Sequence, residues 1–205
     1  RLPPGNIDNH LRNVIKLLPD LTDDLLSAVD QPLKIATCSV TGKPYLLCDY
    51  NRDGDSFRSP WSNEYEPALA DGSVPSPEVR KLEISANDAF DTYKDLYYDG
   101  GVSSVYMWDL DDGFAAVVLI KNDIEGEKSS WDSVHVIEIQ ETVPGKKAIY
   151  KLTSTVMVYL GMESSKKYGE VGLSGSLTRQ SENEYNLDNG EASHIVNIGK
   201  SVEDQ

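Results

Sequence analysis

Asp49-Tyr50-Asn51-Arg52-Asp53-Gly54-Asp55 is the stretch whose residue types and spacing come nearest to a reaction or ligand centre. It satisfies D-x-[DN]-x-[DN]-G, the first half of a calcium loop, in which alternate oxygens ligate the ion and Gly makes the turn. Position twelve of such a loop should be a bidentate Glu and here is Pro60, and Val40-Thr41-Gly42-Lys43-Pro44 is no entering helix. Asp49, Asn51 and Asp53 therefore read as a polar turn in preference to a divalent-metal site. Asp109, Asp111 and Asp112 could be imagined in acid–base work, but three carboxylates around one Gly usually mark a solvated hairpin. No Ser/His or Cys/His arrangement accompanies them. Gly172-Leu173-Ser174-Gly175-Ser176 puts Ser where a nucleophile elbow needs its second Gly, and no Walker-type or dinucleotide Gly loop occurs.

His10, His135 and His194 match no zinc spacing, and His135, inside an apolar run, reads as a satisfied core residue. Cys38 and Cys48, ten positions apart, read as small packed side chains. Trp61, Trp108 and Trp131 suit core packing better than a stacking platform, given the area each ring buries. The expectation is a protein without catalytic residues, metal or cofactor.

Composition narrows the partners. The 205 residues carry 19 Lys+Arg against 34 Asp+Glu, a formal charge of −15, with 39% hydrophobic and 26% charged residues. That is a folded chain, not a disordered one. Its field repels phosphate, which argues against autonomous nucleic-acid binding. No apolar run reaches the roughly 18 residues of a bilayer span. Two cysteines make no disulfide framework, and Arg1-Leu2-Pro3-Pro4-Gly5 lacks the apolar core of a signal peptide, so a reducing cytosolic setting is expected. Lys146-Lys147 and Lys166-Lys167 are short basic pairs that could face an acidic protein.

The elements that must carry these residues follow from periodicity. Ile7, Leu11, Val14, Ile15 and Leu18 make one helical stripe that Pro19 stops. Thr22 suits an N-cap for a second helix, with Asp23 and Asp24 in its first turn, a Leu21–Leu26 staple, and Leu25 and Val29 buried, closed at Pro32. These residues, 1–37, read as an N-terminal helical stalk. Residues 38–75 hold clustered prolines and Asp-Gly turns and read as a small irregular globule packed around Phe57 and Trp61. Ser76-Pro77 caps a long helix over 76–99, stopped by Gly100-Gly101 and roughly 33 Å long.

Val102–Leu110, Phe114–Lys121, Trp131–Gln140, Ala148–Leu160 and Val171–Gln180 are β-rich segments with short connections, which predicts a five-stranded antiparallel meander within 100–192. Alternation along the fourth strand (Tyr150, Leu152, Val156, Val158, Leu160 against Lys151, Thr153, Thr155, Met157) gives one buried and one polar face. Residues 181–192 read as an acidic, Asn-rich loop. Ile195, Ile198 and Val202 begin a helix over 193–205 that lacks a stop signal and reads as truncated. The class is α+β, and the free edge of such a meander invites a partner.

Longer runs carry a resemblance. Leu25–Leu33, Tyr45–Asn63 with its Arg58-Ser59-Pro60-Trp61-Ser62-Asn63 ending, Gly100–Leu110 and Leu173–Gln180 closely resemble the β subunits of F-actin capping protein. The likeness runs through the whole chain, with changes concentrated at 122–130 and 161–170. It implies an obligate heterodimer with an alpha subunit of similar fold, the two sheets joined into one. Such a dimer caps filament barbed ends in the cytoplasm and cortical cytoskeleton, independently of calcium and without severing, or caps the actin-related filament of dynactin. The resemblance also implies an actin-binding extension beyond Gln205, so that capping by these residues alone would be partial. It further implies regulatory proteins whose capping-protein-interaction motif wraps the stalk, here at Arg1, Tyr65, Asp30 and Asp49. Their carboxylates would attract a basic peptide, and Tyr65 would offer a flat apolar contact. By position, Lys128, Lys146, Lys147, Lys166 and Lys167 are candidates for minor actin-facing contributors.

Overall fold

The computed structural model describes residues 7–22, 32–124, 129–162 and 171–205. The chain divides into two compact units, Arg1–Pro32 and Leu33–Gln205. In the first, α1 (Ile7–Leu17) follows the predicted stripe, and Pro19 ends it by opening a 3-10 turn, Pro19–Leu21. The helix that Thr22 was expected to cap lies outside the described residues. The Thr22 backbone is itself helical (φ −58, ψ −48), and its hydroxyl donates to the Pro19 carbonyl at 2.7 Å. Asp23, Asp24, Leu25, Leu26 and Val29 lie outside the described residues.

The second unit begins earlier than the stalk was expected to end. Lys34–Thr37 is a strand, β1, paired antiparallel with β2 (Pro44–Leu47). Three short strands follow, β3 (Arg52–Asp53), β4 (Ser56–Arg58) and β5 (Tyr65–Glu66), forming a second small sheet. This region is not organised on Phe57 and Trp61, which are only half-buried. Its inner residues are Cys38, Tyr45, Leu46 and Tyr65 together with buried Asn51, Arg58 and Ser59.

Helix α2 (Pro77–Tyr97) starts as its sequence requires, with the Ser76 hydroxyl accepting from the Val79 N–H and Pro77 in the first turn. Gly100, at φ +77, supplies the left-handed turn that leads into the sheet. Strands β6 (Val102–Leu110), β7 (Gly113–Ile124), β8 (Ser129–Val143), β9 (Lys147–Met162) and β10 (Val171–Asn186) form one antiparallel meander in the order β10-β9-β8-β7-β6. Helix α3 (Glu191–Glu203) follows. The first half of the expected loop over 181–192 is strand: Ser181–Asn186 continue β10 in register with Lys147–Leu152 of β9. An edge strand wet on both faces needs no apolar alternation, so its polar sequence concealed it.

Two clusters make the core. On one face Val79, Ala86 and Phe90 of α2 and Ile198 and Val202 of α3 pack on Val105, Met107, Val118, Ile120, Ile137, Tyr150 and Leu152. On the other face Leu33 and Leu46 pack on Tyr106, Val117 and Leu119. Strand β7 lies under both covers, and every residue from Phe114 to Lys121 is buried. That explains its unbroken apolar run, since a strand covered on both faces has no polar side.

Candidate protein interface

Burial falls steadily across the sheet. At β10, Leu173 is 67% exposed and Leu177 55%, beside Leu160 at 43% on β9. Register places Leu173 against Leu160, Gly175 against Val158, and Leu177 against Val156. Side chains directly opposite on one face touch, so Leu160, Leu173, Leu177, Val156 and Val158 form an apolar strip along the end of the sheet. They lie on the same face as the core under α2 and α3, outside its buried cluster. Nothing lies within 4 Å of a Cβ built at Gly175, so a neighbouring backbone could come close there. On the opposite face at this end Thr155 is bonded to Thr178 at 2.9 Å and Gln180 donates to Thr153, beside half-exposed Tyr159.

The two sheet edges differ in kind. Among the described residues no strand lies beyond β10, whose 16 residues expose roughly 50 Å of main chain. At the other edge, α2 side chains bond the outward main chain of β6. The sheet is therefore finished on one side and open on the other. An open edge flanked by exposed leucines is a surface for another polypeptide strand.

The residues singled out from sequence fall elsewhere. Asp49 is exposed in a single 3-10 turn, Asp49–Asn51. Asn51 is buried, its Oδ1 accepting from the Cys48 N–H at 2.9 Å and its Nδ2 donating to the Arg58 carbonyl at 2.9 Å, while Asp53 accepts from the Ser73 N–H. These oxygens are committed to the protein, and among the described residues no cluster of three His, Cys, Asp or Glu is placed to hold a metal. Tyr65 does not offer a flat exposed ring. It is 8% exposed, lies against Gly72, and its hydroxyl donates to the Ser73 carbonyl at 2.7 Å. Arg1, Asp30, Lys128, Lys166 and Lys167 lie outside the described residues. Lys146 and Lys147 are exposed at the β8–β9 turn, where Lys147 pairs with Glu184 at 3.0 Å, so the pair does not stand as an isolated basic patch. That partner holds the Glu184 carboxyl below its usual range.

Asp109 is not a free turn carboxylate. It accepts the Ser76 N–H at 2.7 Å, and the Ser76 contacts hold its carboxyl below the ordinary range. The three tryptophans pack, but at margins: Trp108 stacks on Tyr50 with centroids 5.2 Å apart, Trp131 stacks on Tyr98 at 4.9 Å, and Trp61 donates to the Pro44 carbonyl under Lys43. His194, on α3, bonds the Tyr150 hydroxyl at 2.8 Å, a helix-to-sheet tie that no spacing rule would have suggested.

His135 is buried between Val118 and Ser154, with Nδ1 and the Ser154 hydroxyl 2.9 Å apart. Burial lowers its pKa from 6.5 to about 4. Between those values the unfolded chain takes up a proton that the folded chain refuses, so stability falls as pH falls through the window. The full loss by pH 4 is about 3 kcal/mol. Thermal melts from pH 7 to 4 should show it, and His135→Asn should flatten that part of the profile. An unchanged slope in the variant would assign the acid sensitivity to other groups.

A model of the family described as "F-actin capping protein, beta subunit" matches residues 1–205. The chain is 58% identical over 207 residues to the F-actin-capping protein subunit beta of Drosophila melanogaster, covering all of this chain and 74% of that one. Its identity to the subunit of the same name in Caenorhabditis elegans is 56%, and in Dictyostelium discoideum 53%, each match covering all of this chain and 76% of the relative. Among solved structures it is similar to the homodimeric actin capping protein alpha subunit from Plasmodium berghei. That likeness has a TM-score of 0.56 and 17% identity over 99% of this chain and 82% of the other, and it concerns the fold. With an α+β fold of this topology and relatives above half identity along its whole length, the chain belongs to the F-actin capping protein beta subunit family.

Proposed function

We propose that this chain is one half of a heterodimer with a capping-protein alpha subunit, joined to it along β10, and that the pair binds filament barbed ends and blocks subunit addition and loss. The observation that carries the reading is the asymmetry of the sheet: one edge is occupied by the chain's own side chains, while β10 is long, has no strand on its outer side among the described residues, and is flanked by Leu160, Leu173 and Leu177. Family membership supplies the kind of partner. A solved structure named as an alpha subunit has the same fold along the chain, so an alpha subunit could present a matching edge.

Capping of this kind works by fit and involves no bond making. Calcium-independent action without severing, in the cytoplasmic actin cytoskeleton, fits a turn in which Asn51 Oδ1 and Asp53 Oδ2 accept from the protein's own main chain. Regulatory proteins carrying a basic motif would meet exposed Asp49. The test is co-expression with an alpha subunit, followed by pyrene-actin elongation from barbed ends in calcium and in chelator. Co-purification with slowed elongation in both buffers is expected. A stable lone monomer, or an intact complex that leaves elongation unchanged, would defeat the reading.

A further inference from the structure

The β6 edge is closed in an unusual way. Val105 directs its N–H and C=O away from β7, and both meet the Asn87 carboxamide: the Val105 N–H donates to Oδ1 at 2.9 Å, and Nδ2 donates to the Val105 carbonyl at 2.8 Å. One residue pair on, the Met107 N–H donates to Glu83 Oε2 at 2.6 Å. The Ser103 carbonyl accepts the Ser104 hydroxyl at 2.8 Å. Asn87 and Glu83 are four positions apart on α2 and so share one helix face. Both are buried, at 2% and 0% exposure. Asn87 is fixed further by donating to the Glu83 carbonyl at 2.8 Å, and the Glu83 carboxylate is held by Arg58 at 2.7 and 2.8 Å and by Arg80.

A carboxamide offers one acceptor and two donors, which makes it the side chain able to reproduce both halves of a β-bridge. An antiparallel edge strand left bare recruits a further strand. Burial alone would have been met as well by an apolar residue at position 87, which would leave the Val105 groups unpaired at a cost of about 1–3 kcal/mol each. We propose that Asn87, backed by Glu83, stands in for a sixth strand at β6, so that this sheet accepts another chain at β10 alone and assembly ends with one partner. The role of Asn87 is to exclude a wrong partner, which distinguishes it from residues that bind the right one.

This inference rests on the reading of β10 only for the identity of the one accepted partner. The heterodimer carrying Asn87→Ala, compared with wild type by sedimentation velocity over rising concentration, should form a species of twice the heterodimer mass, at a fraction at least tenfold above wild type. A variant that keeps the heterodimer mass at every concentration would overturn the seal. If Asn87→Ala does not fold, amide exchange in the wild-type complex decides. Val105 and Met107 amides protected like those of β7 support the proposal. Exchange as fast as in the Asp111-Asp112 turn overturns it. If the wild-type chain fails to co-purify with an alpha subunit, the reading of β10 falls, and the same two amides still test the β6 seal in the wild-type chain alone.

Discussion

Glu83→Ala should lower the stability of the complex by about 3–5 kcal/mol, the range found when one member of a buried ion pair is removed. For a unit of this size that is a fall of roughly 6–20 °C in Tm. The reason is the number of groups it would abandon. The Glu83 side chain is fully buried, and its two oxygens take the Arg58 guanidinium in a fork, Arg80 beside it, and the Met107 N–H. Arg58 is itself 3% exposed and also donates to Asn63 Oδ1 at 2.7 Å, while Arg80 donates to the Pro60 carbonyl at 2.8 Å.

One carboxylate thus fastens β4, the Pro60–Asn63 turn, α2 and β6. Removing it leaves a buried cation whose burial alone would lower its pKa, an effect now outweighed by Glu83. The double variant Arg58→Met with Glu83→Leu should recover part of the loss, because a well-packed apolar pair can replace a buried ion pair at little cost. Thermal melts of the three variants measure this. A loss below 1 kcal/mol for Glu83→Ala would mean that water reaches Arg58 and that the junction is not a dry one.

Leu177→Asp should weaken association with the alpha subunit by two orders of magnitude or more in Kd, about 3 kcal/mol, while leaving the fold of the chain intact. Leu177 stands beside Val156 on the open end of the sheet, and its side chain makes no closed core of its own. A carboxylate there costs the unbound chain little but would lose water without gaining a partner once the alpha subunit docked beside it. Exposed Asp88→Asn on α2 is the control. Dilution of the co-purified heterodimer, followed by sedimentation velocity, reads the effect. Equal affinity for Leu177→Asp and wild type would place the interface elsewhere on the molecule.

Much of the architecture was legible in the residues. Ser76-Pro77, the 3–4 repeat behind it and Gly100-Gly101 mark α2 because capping, φ restriction and left-handed freedom are local properties. Five β-rich segments with short links can pair only as a meander, since tight connections force antiparallel neighbours. The resemblance through Tyr45–Asn63 and Leu173–Gln180 then pointed to the family.

Other features depended on which chains of atoms meet across the fold. Arg58 and Glu83 are 25 residues apart and look like ordinary surface charges, yet they form the best-buried pair described. Ser181–Asn186 read as loop because backbone pairing at a wet edge leaves no apolar signature. Tyr65 was expected to present its ring, but Gly72 closes over it and Ser73 takes its hydroxyl. The difference between β6 and β10 was invisible in one dimension, because it depends on Asn87 reaching Val105 across 18 residues. Periodicity, caps and turns are written into neighbouring residues, so they can be read along the chain. Which edge is closed and which carboxylate is buried depend on distant segments sharing space, and only the folded molecule decides them.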